Sequence, residues 1–337
     1  MANALPAYRA GNVEAQAMPL DPSAKRILTM VAAGAADRAS LTPDEMRKSM
    51  LRLSEMLDAR DVSIARATDL VLPGPAGELK ARLYDSAPAQ DRSPGLIYFH
   101  GGTGVFGAVE THEGLCRMLA NSSGCRILSI DYRLAPEHPF PAAVDDAYAS
   151  VCWAATHARA LGIDKARLAV GGDSSGGTLA TVVCQLARAA GGPDLALQFL
   201  LCPVTDLRCE TQSRRNYGSG YFFDMQTLDW AIGLYCPDHA TDAEFHDPRL
   251  SPMRARDLSR LPPALIHTAE FDPLRDEGRA YADRLAEANV KVHYECHAGM
   301  IHHFYAMAGA IPRARAAIEA MGTALRDALA YEVAKQN

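Results

Sequence analysis

The chain has 337 residues, of which 48% are hydrophobic and 22% are charged, and its formal net charge at pH 7 is −6. This length exceeds one minimal domain and suits a large α/β domain that carries a cap, with enough apolar residues for a sizeable core. The negative net charge gives no sign of a basic surface that could bind DNA or RNA, so no nucleic-acid partner is expected.

The N-terminal part of the chain is predicted to be helical. Apolar residues recur at helical spacing over residues 24–35, and a second helix is predicted to begin at Thr42-Pro43-Asp44-Glu45. Thr42 is the predicted N-cap of that helix and Pro43 its first residue. We expect residues 1–60 to form the helices of an N-terminal cap.

Strands and helices then follow in alternation. Residues 65–72 and 78–84 are predicted to be strands joined by Gly74-Pro75-Ala76-Gly77, a hairpin signal. Further strands are predicted at 96–99, 126–131, 167–171, 195–202, 263–270 and 290–296, and helices at 142–160, 177–190, 275–288 and 312–334. This alternation indicates an α/β fold with a mainly parallel sheet and helices on both faces.

A glycine-rich segment follows the predicted strand at 96–99. It reads His100-Gly101-Gly102-Thr103-Gly104. Acyl transfer builds negative charge on a carbonyl oxygen, and backbone N–H groups that are not screened by bulky side chains stabilise that charge. The segment is therefore a candidate oxyanion hole, and an ordinary Gly-rich loop is the alternative.

The most informative motif is Gly172-Asp173-Ser174-Ser175-Gly176, between a predicted strand and a predicted helix. In a nucleophile elbow the serine lies at the tip of a sharp turn, and the residues two before and two after it must be nearly free of side chain. Ser174 has Gly172 and Gly176 at those positions, whereas Ser175 would have Asp173. Ser174 is therefore the predicted nucleophile.

A nucleophilic serine needs a histidine base and an acid that orients the base. His302 follows a late predicted strand and a turn predicted at 297–300, so it lies on a loop that can reach the elbow. Asp272 is presented at the end of the preceding strand by the proline after it. The order Ser174, Asp272, His302 is the chain order of α/β hydrolases. Asp276 is the rival acid, in the next predicted helix.

Most other histidines have ordinary interpretations. Five lie in polar or Pro-rich surroundings typical of surfaces and loops: His112, His138, His157, His239 and His246. His267 lies within an apolar strand and is predicted to pack in the core. A metal site is considered for His293, His297, His302 and His303 and is disfavoured, because only Glu295 and Cys296 lie near them as further ligands.

Residues 205–258 interrupt the alternation. This segment is rich in aromatic residues, namely Tyr217, Tyr221, Phe222, Phe223, Trp230 and Tyr235. It follows a core strand, so we expect it to cover the nucleophile as a cap insertion, with a plain surface excursion as the alternative. The predicted division is then residues 1–60 as N-terminal cap helices, 61–204 as the first part of the core, 205–258 as the cap insertion and 259–337 as the second part of the core.

Five segments together resemble the hormone-sensitive-lipase family of esterases. They are His100-Gly-Gly, Asp131-Tyr-Arg-Leu-Ala-Pro-Glu-His-Pro-Phe-Pro, Gly172-Asp-Ser-Ser-Gly-Gly, Asp272-Pro-Leu-Arg-Asp-Glu-Gly and Gly299-Met-Ile-His-His-Phe. The resemblance spans roughly residues 65–331, and the joint pattern is very specific.

The resemblance implies an α/β-hydrolase fold with a helical cap and a triad of Ser174, His302 and Asp272. It also implies an oxyanion hole formed by the backbone of Gly101, Gly102 and Thr103 with the N–H of Ser175. Two positions depart from the family pattern, because Thr103 and His303 stand where the family usually has glycine. The side chain of His303 could either line the pocket or point to solvent.

The expected activity is that of a serine carboxylesterase that hydrolyses short- to medium-chain acyl esters through an acyl-enzyme. An amidase or formamidase with the same triad is the nearest alternative. A ligand-binding receptor of the gibberellin-receptor type would lack the catalytic histidine, and a lyase-type relative would lack the nucleophile, whereas this chain has His302 and Ser174. The mechanism needs no metal and no organic cofactor.

Localisation is inferred from what the sequence lacks. Residues 1–20 show no basic start followed by an apolar run, so no secretion signal is expected, and no apolar stretch is long enough to span a membrane. The eight cysteines contain no C-x-x-C pair, which predicts free thiols in a reducing cytoplasm. The expected partner is a small-molecule acyl ester, with no membrane partner, and a homodimer is left open.

Overall fold

A computed structural model describes residues 18–33, 41–237 and 244–334. The start of the chain up to residue 17, the last two residues of the helix predicted at 24–35, and His239 lie outside the described residues. Within them, no helix is long and apolar enough to cross a membrane.

The described strands form one eight-stranded sheet. They are β1 (Arg66–Gly74), β2 (Gly77–Asp85), β3 (Ser93–Phe99), β4 (Arg126–Asp131), β5 (Ile163–Asp173), β6 (Leu197–Leu201), β7 (Ala264–Phe271) and β8 (Val292–Ile301). Their order in the sheet is β1-β2-β4-β3-β5-β6-β7-β8. The β1–β2 hairpin is antiparallel, as predicted, and β2 also pairs antiparallel with β4.

All pairs from β4 to β8 are parallel, so the carboxyl ends of six strands lie at the same edge of the sheet. Loops at that edge can bring together residues that are far apart in sequence. The predicted α/β-hydrolase architecture is confirmed.

Helices cover both faces of the sheet. They are α1 (Pro22–Ala33), α2 (Pro43–Leu57), α3 (Glu113–Ser123), α4 (Ala142–Thr156), α5 (Ser175–Ala190), α6 (Gln212–Tyr217), α7 (Met225–Tyr235), α8 (Arg275–Glu287) and α9 (Pro312–Ala334). Helices α1, α3 and α9 share one apolar core with the sheet, and α4, α5 and α8 share the other. Side chains along each strand point alternately to the two faces of the sheet and so contribute to both cores. In β3, Leu96 and Tyr98 belong to the first core, and Ile97 and Phe99 belong to the second.

The start of α2 is as predicted. Thr42 caps the helix by accepting a hydrogen bond from the N–H of Glu45, and the Glu45 carboxylate accepts one from the N–H of Thr42. This reciprocal capping box satisfies two donors that the first turn would otherwise leave unpaired. Pro43 occupies the first turn, where its missing N–H costs nothing.

One helix was missed by the sequence predictions, and one predicted turn was wrong. Helix α3 was not predicted, although it lies between β3 and β4 and packs closely on α9. The turn predicted at 297–300 is part of strand β8, which continues to Ile301. The strand accommodates Gly299 at φ 75° through an irregularity in its pairing with β7, and the N–H of Gly299 donates to the Glu270 carboxylate at 2.7 Å.

Candidate active site

Ser174 occupies the sharp turn between β5 and α5. Its backbone has φ 52° and ψ −120°, a conformation that costs energy for a non-glycine residue. A Cβ atom on Gly172 would lie 2.4 Å from the Phe99 carbonyl oxygen, and one on Gly176 would lie 2.0 Å from the same atom. The two glycines are therefore required by close backbone contact, as the sequence motif predicts.

Asp272 and His302 follow directly after β7 and β8. The Nδ1 atom of His302 lies 2.8 Å from Oδ2 of Asp272, and both side chains are buried. A carboxylate accepts hydrogen bonds, so His302 carries its proton on Nδ1 and leaves Nε2 free to act as a base. The second carboxylate oxygen of Asp272 is held by the N–H of Leu274 at 2.8 Å. The structure therefore places a fixed acid–base pair at the same end of the sheet as Ser174.

Asp276 has other partners. One of its oxygens accepts from the N–H of Ser213 at 2.7 Å, in the first turn of α6, and the other pairs with Arg275 at 2.9 Å. These contacts fix α6 against α8. No contact of Asp276 with His302 is found among the described residues.

Asp173, the residue before Ser174, organises the glycine-rich loop. Its Oδ1 accepts hydrogen bonds from the hydroxyl of Tyr98 at 2.7 Å and from the N–H of Gly101 at 2.9 Å. Its Oδ2 lies 3.2 Å from Nε2 of His112. Burial raises the pKa of Asp173, but the charge of His112 and hydrogen bonds from His112 and Tyr98 outweigh burial and hold that pKa below its usual value. Sequence reasoning gave Asp173 no functional role, although a carboxylate at the end of a buried strand requires partners.

The prediction for Gly101 is corrected by this contact. Its N–H is donated to Asp173, so it is not available to an oxyanion. The predicted donors that remain are the N–H groups of Gly102, Thr103 and Ser175. A Cβ atom on Gly102, which has φ 124°, would lie 2.0 Å from the Phe106 carbonyl oxygen, so glycine is required there.

Thr103 has φ 58°, which is a strained conformation for a β-branched residue. Its hydroxyl donates to the carbonyl of Gly102 at 2.7 Å, which helps to hold the turn. Thr103, which replaces the glycine usual in the family, therefore keeps a left-handed backbone conformation instead of a helical or extended one. The strain lies at the position where an oxyanion donor is predicted.

His112 is not the surface residue that its polar neighbours in the sequence suggest. Only 2% of it is exposed, and its two ring nitrogens contact Asp173 and the hydroxyl of Thr111. Burial lowers the pKa of His112, but the Asp173 carboxylate outweighs burial and raises it above its usual value. The two shifts describe a buried ion pair beneath the glycine-rich loop. The expectation for His112 is therefore wrong, whereas His138, His157 and His246 are exposed and His267 is buried, as predicted.

His303 lines the pocket rather than pointing to solvent. Its ring stacks on Phe222 with centroids 5.7 Å apart and makes an edge contact with His112 at 5.4 Å. Burial, followed by the charge of His112, lowers the pKa of His303 to about 3, so this ring is neutral at pH 7. Its backbone, like that of Thr103, is left-handed, with φ 66°.

A cavity of about 630 Å³, partly open to solvent, is lined by Ser174 and His302 among other residues. Its apolar wall comes from α2, from the loop that follows β3 and from the segment that precedes α7: Met46, Met50, Phe106, Phe222 and Phe223. A second cavity, of about 520 Å³, is lined by Ser175, Tyr132, Leu228 and Ile232 among others. Thr103 lines both cavities, so the two cavities adjoin at this residue.

Helix α2 is fastened over the first cavity by Arg47. The guanidinium donates to the carbonyls of Val105 and Ala135, at 2.9 and 2.8 Å, and forms a bidentate pair with Glu137 at 2.7 and 2.6 Å. The hydrogen bond to Arg47 lowers the pKa of Glu137 to about 2, so this carboxylate is ionised at any working pH. Sequence reasoning did not identify Arg47, because its partners lie 58 to 90 residues away.

Together, a serine at a strained strand-to-helix turn, a buried histidine–aspartate pair and a glycine-rich loop define a hydrolase of the α/β fold. A family model described as alpha/beta hydrolase fold matches residues 96–306. The chain belongs to the hormone-sensitive-lipase family of α/β hydrolases, and it is a carboxylic ester hydrolase.

Similar proteins agree with this assignment. The chain is 42% identical over 292 residues to the carboxylic ester hydrolase LipN of Mycobacterium tuberculosis. This alignment covers 85% of this chain and 77% of LipN. It is 38% identical over 308 residues to an ethyl acetate hydrolase of Pseudomonas putida, and the alignment covers 88% of this chain and 95% of that relative. A solved ester hydrolase from the metagenome of Lake Arreo superposes with a TM-score of 0.87 at 41% identity, covering 91% of this chain and 98% of the other.

Proposed function

We propose that the chain hydrolyses short- to medium-chain acyl esters with Ser174 as nucleophile, His302 as base and Asp272 as the acid that orients His302. The observation that carries this proposal is the buried 2.8 Å contact between His302 and Asp272 beside a serine at a nucleophile elbow. Because Asp272 holds the proton on Nδ1, Nε2 of His302 accepts the proton of Ser174 as it attacks the ester carbonyl.

The later steps use the same groups. The N–H groups of Gly102, Thr103 and Ser175 stabilise the oxyanion of the tetrahedral intermediate. His302 then returns its proton to the leaving alcohol, and water hydrolyses the acyl-enzyme by the same route. Asp173 takes no part in these proton transfers and acts by positioning the loop through the N–H of Gly101.

The substrate range is proposed from the shape of the site. The two cavities meet at Thr103, next to the predicted oxyanion donors, so we assign one to the acyl group and the other to the alcohol. Met46 and Met50 of α2 line the first cavity, and we expect them to limit the length of chain that fits. The Pseudomonas putida relative is named for ethyl acetate, which is a short ester.

The test is a rate profile over p-nitrophenyl esters of increasing acyl length. We expect kcat/KM to fall beyond about eight carbons, as the first cavity fills. A matched p-nitroanilide measures whether the same triad prefers amides, and faster turnover of the amide would replace the esterase assignment. Strong hydrolysis of emulsified long-chain triglyceride above its solubility limit would contradict the proposed chain length.

We also propose a cytoplasmic location, because all eight cysteines are free thiols, a state that suits a reducing compartment. Cell fractionation tests this proposal. A homodimer stays a prediction, which light scattering on the purified protein would test.

A further inference from the structure

A cluster of three ionisable side chains lies on β7 and β8, outside the cavity that contains Ser174. His267 belongs to β7, and Glu295 and His297 belong to β8, which is the edge strand of the described sheet. The register pairs His267 with Glu295 and Ala269 with His297. Residues two apart on a strand share a face, so the three side chains point to the same side of the sheet.

The ligand atoms of these side chains are close to one another. Nδ1 of His267 lies 3.2 Å from Nε2 of His297 and 3.7 Å from a carboxylate oxygen of Glu295, and one ligand atom from each residue lies within 4.8 Å of the other two. Tetrahedral zinc with bonds of about 2.0–2.1 Å places neighbouring ligand atoms about 3.3 Å apart. The distance between the two histidines already matches that geometry, and the Glu295 carboxylate would have to move closer to complete it.

We propose that His267, Glu295 and His297 bind a divalent transition-metal ion of the zinc type, with one coordination position left to water. Two imidazoles and one carboxylate are a ligand set that suits zinc. Of the four histidines considered from the sequence, the set keeps only His297. It excludes His293, His302 and His303 and includes His267 from the neighbouring strand.

Burial and access also suit a metal ion. His267 is 1% exposed and His297 8% exposed, and burial lowers the pKa of both, so both rings are neutral at pH 7, the form that binds metals. The Glu295 side chain is 50% exposed and gives the ion a path from solvent. Its negative charge partly compensates that of the ion.

The hydrogen on the two facing nitrogens can move without leaving the protein. A single proton at most lies between Nδ1 of His267 and Nε2 of His297, and metal binding requires both atoms to be unprotonated. If the proton is on Nδ1 of His267, it transfers to Nε2 of the same ring. That Nε2 atom is buried and has no hydrogen-bond partner among the described residues.

Metal binding would join two strands that carry the catalytic acid and base. Asp272 directly follows β7, and His302 directly follows β8. An ion bound to both strands favours the folded state, because the ligand set is assembled only there. We therefore expect the melting temperature to rise by a few °C at a Zn²⁺ concentration about 100 times the Kd.

The experiment uses the full chain without an affinity tag, freed of metal by EDTA. Titration with Co²⁺ should give the visible absorption bands of a tetrahedral complex, and calorimetry with Zn²⁺ should give one equivalent bound. Glu295→Gln and His297→Gln should weaken that binding about tenfold or more, because each removes one of the protein ligands. His293→Gln is the matched control: its ring lies 6.2 Å from that of His267 on the same face but is outside the ligand set, so binding should be unchanged.

Folding is monitored by circular dichroism and ester hydrolysis, both of which should be unchanged in these variants without metal. Glu295→Gln keeps the test independent of the core, since this side chain is half exposed. Three results would each overturn the proposal: no Zn²⁺ binding up to about 1 mM, binding unaffected by both Glu295→Gln and His297→Gln, or equal loss of binding in His293→Gln. In the first two cases His267 and His297 form only a proton-sharing pair, and in the third the ligand set named above is wrong.

Discussion

The two sides of Ser174 are built in different ways. On one side, Asp272 and His302 follow immediately after β7 and β8, and the ladder of parallel strands fixes where they lie. On the other side, the loop after β3 leaves the sheet and has positive φ values at four of its residues: Gly102, Thr103, Gly104 and Gly107. Repeated backbone hydrogen bonds position the proposed acid and base, whereas a few buried side chains position the loop that carries the proposed oxyanion donors.

This difference shows which parts of the site depend on single contacts. The loop is held by Asp173, which accepts from Gly101 and Tyr98 and pairs with His112. Replacing one of these partners should alter the loop and leave the triad in place. Replacing a triad residue should abolish the chemistry and leave the loop in place.

The largest effect is expected at the triad itself. Ser174→Ala or His302→Ala should lower kcat by about 10⁴-fold or more with an unchanged melting temperature, because triad residues act as a unit. Ser175→Ala is the control, since only its N–H is used, and it should keep most of its activity. Steady-state rates on a p-nitrophenyl ester test this, and inactivity of Ser175→Ala beside an active Ser174→Ala would refute the elbow assignment.

The next largest effect separates the two candidate acids. Asp272→Asn should lose on the order of 10⁴-fold in kcat, because an amide favours the wrong tautomer of His302. Asp276→Asn should cost far less, since Asp276 contacts Ser213 and Arg275 instead. The measurement is kcat for both variants at matched melting temperature. Equal losses would mean that the geometry of the 2.8 Å contact does not report the catalytic acid.

The loop after β3 is tested through the ion pair of His112 and Asp173, and the quantity measured is the free energy of unfolding rather than a reaction rate. His112→Gln should destabilise the protein by about 3–5 kcal/mol at about pH 6, because it leaves the Asp173 carboxylate buried without its cation. The pKa of His112 is raised in the folded state, so the contribution of its charge is complete below about pH 6.5 and is lost as the pH rises through the raised value.

The difference between wild type and His112→Gln should therefore shrink as the pH is raised to about 9. Urea unfolding at both pH values measures it, with the exposed His138→Gln as control. A difference that stays constant across this range would show that His112 acts by packing and not by charge.

The smallest effect is expected at Thr103. Thr103→Gly keeps the backbone donor and removes the strain of a β-branched residue at φ 58°, so kcat on a short ester should stay within about threefold. It also removes a side chain where the two cavities adjoin, so KM should fall for esters with bulkier groups. Proline is unsuitable as a donor-deleting substitution, because its ring cannot reach this φ. A large loss of kcat in a folded Thr103→Gly enzyme would assign its hydroxyl a catalytic role.

The same division explains what the sequence could predict. Ser174, Asp272 and His302 follow from local signals: two glycines that a turn requires, a proline that ends a strand, and the order of strands. Such signals are contained within a few residues. The α/β alternation is equally local, since it depends on short apolar runs and the breaks between them.

The contacts that were missed are distant in sequence. His112 has polar neighbours along the chain and is buried only because Asp173, 61 residues away, lies beside it. Gly101 was taken for an oxyanion donor because its spacing gives no sign that its N–H is already used. Helix α3 packs on α9, about two hundred residues later, and its polar residues Glu113, Arg117 and Asn121 recur every four positions, a helical signal in the sequence that was overlooked.

The side chain of Arg47 has a consequence for attempts to redesign the enzyme. The same guanidinium contacts Val105, within the loop that follows β3, and Ala135 and Glu137, in the proline-rich segment after β4. We therefore expect a substitution in α2 that displaces Arg47 to shift the support of the loop that carries the proposed oxyanion donors. We expect substrate scope and turnover to be linked at Arg47. Libraries that vary Met46 and Met50 to change the substrate scope should therefore retain Arg47, so that turnover is not lost.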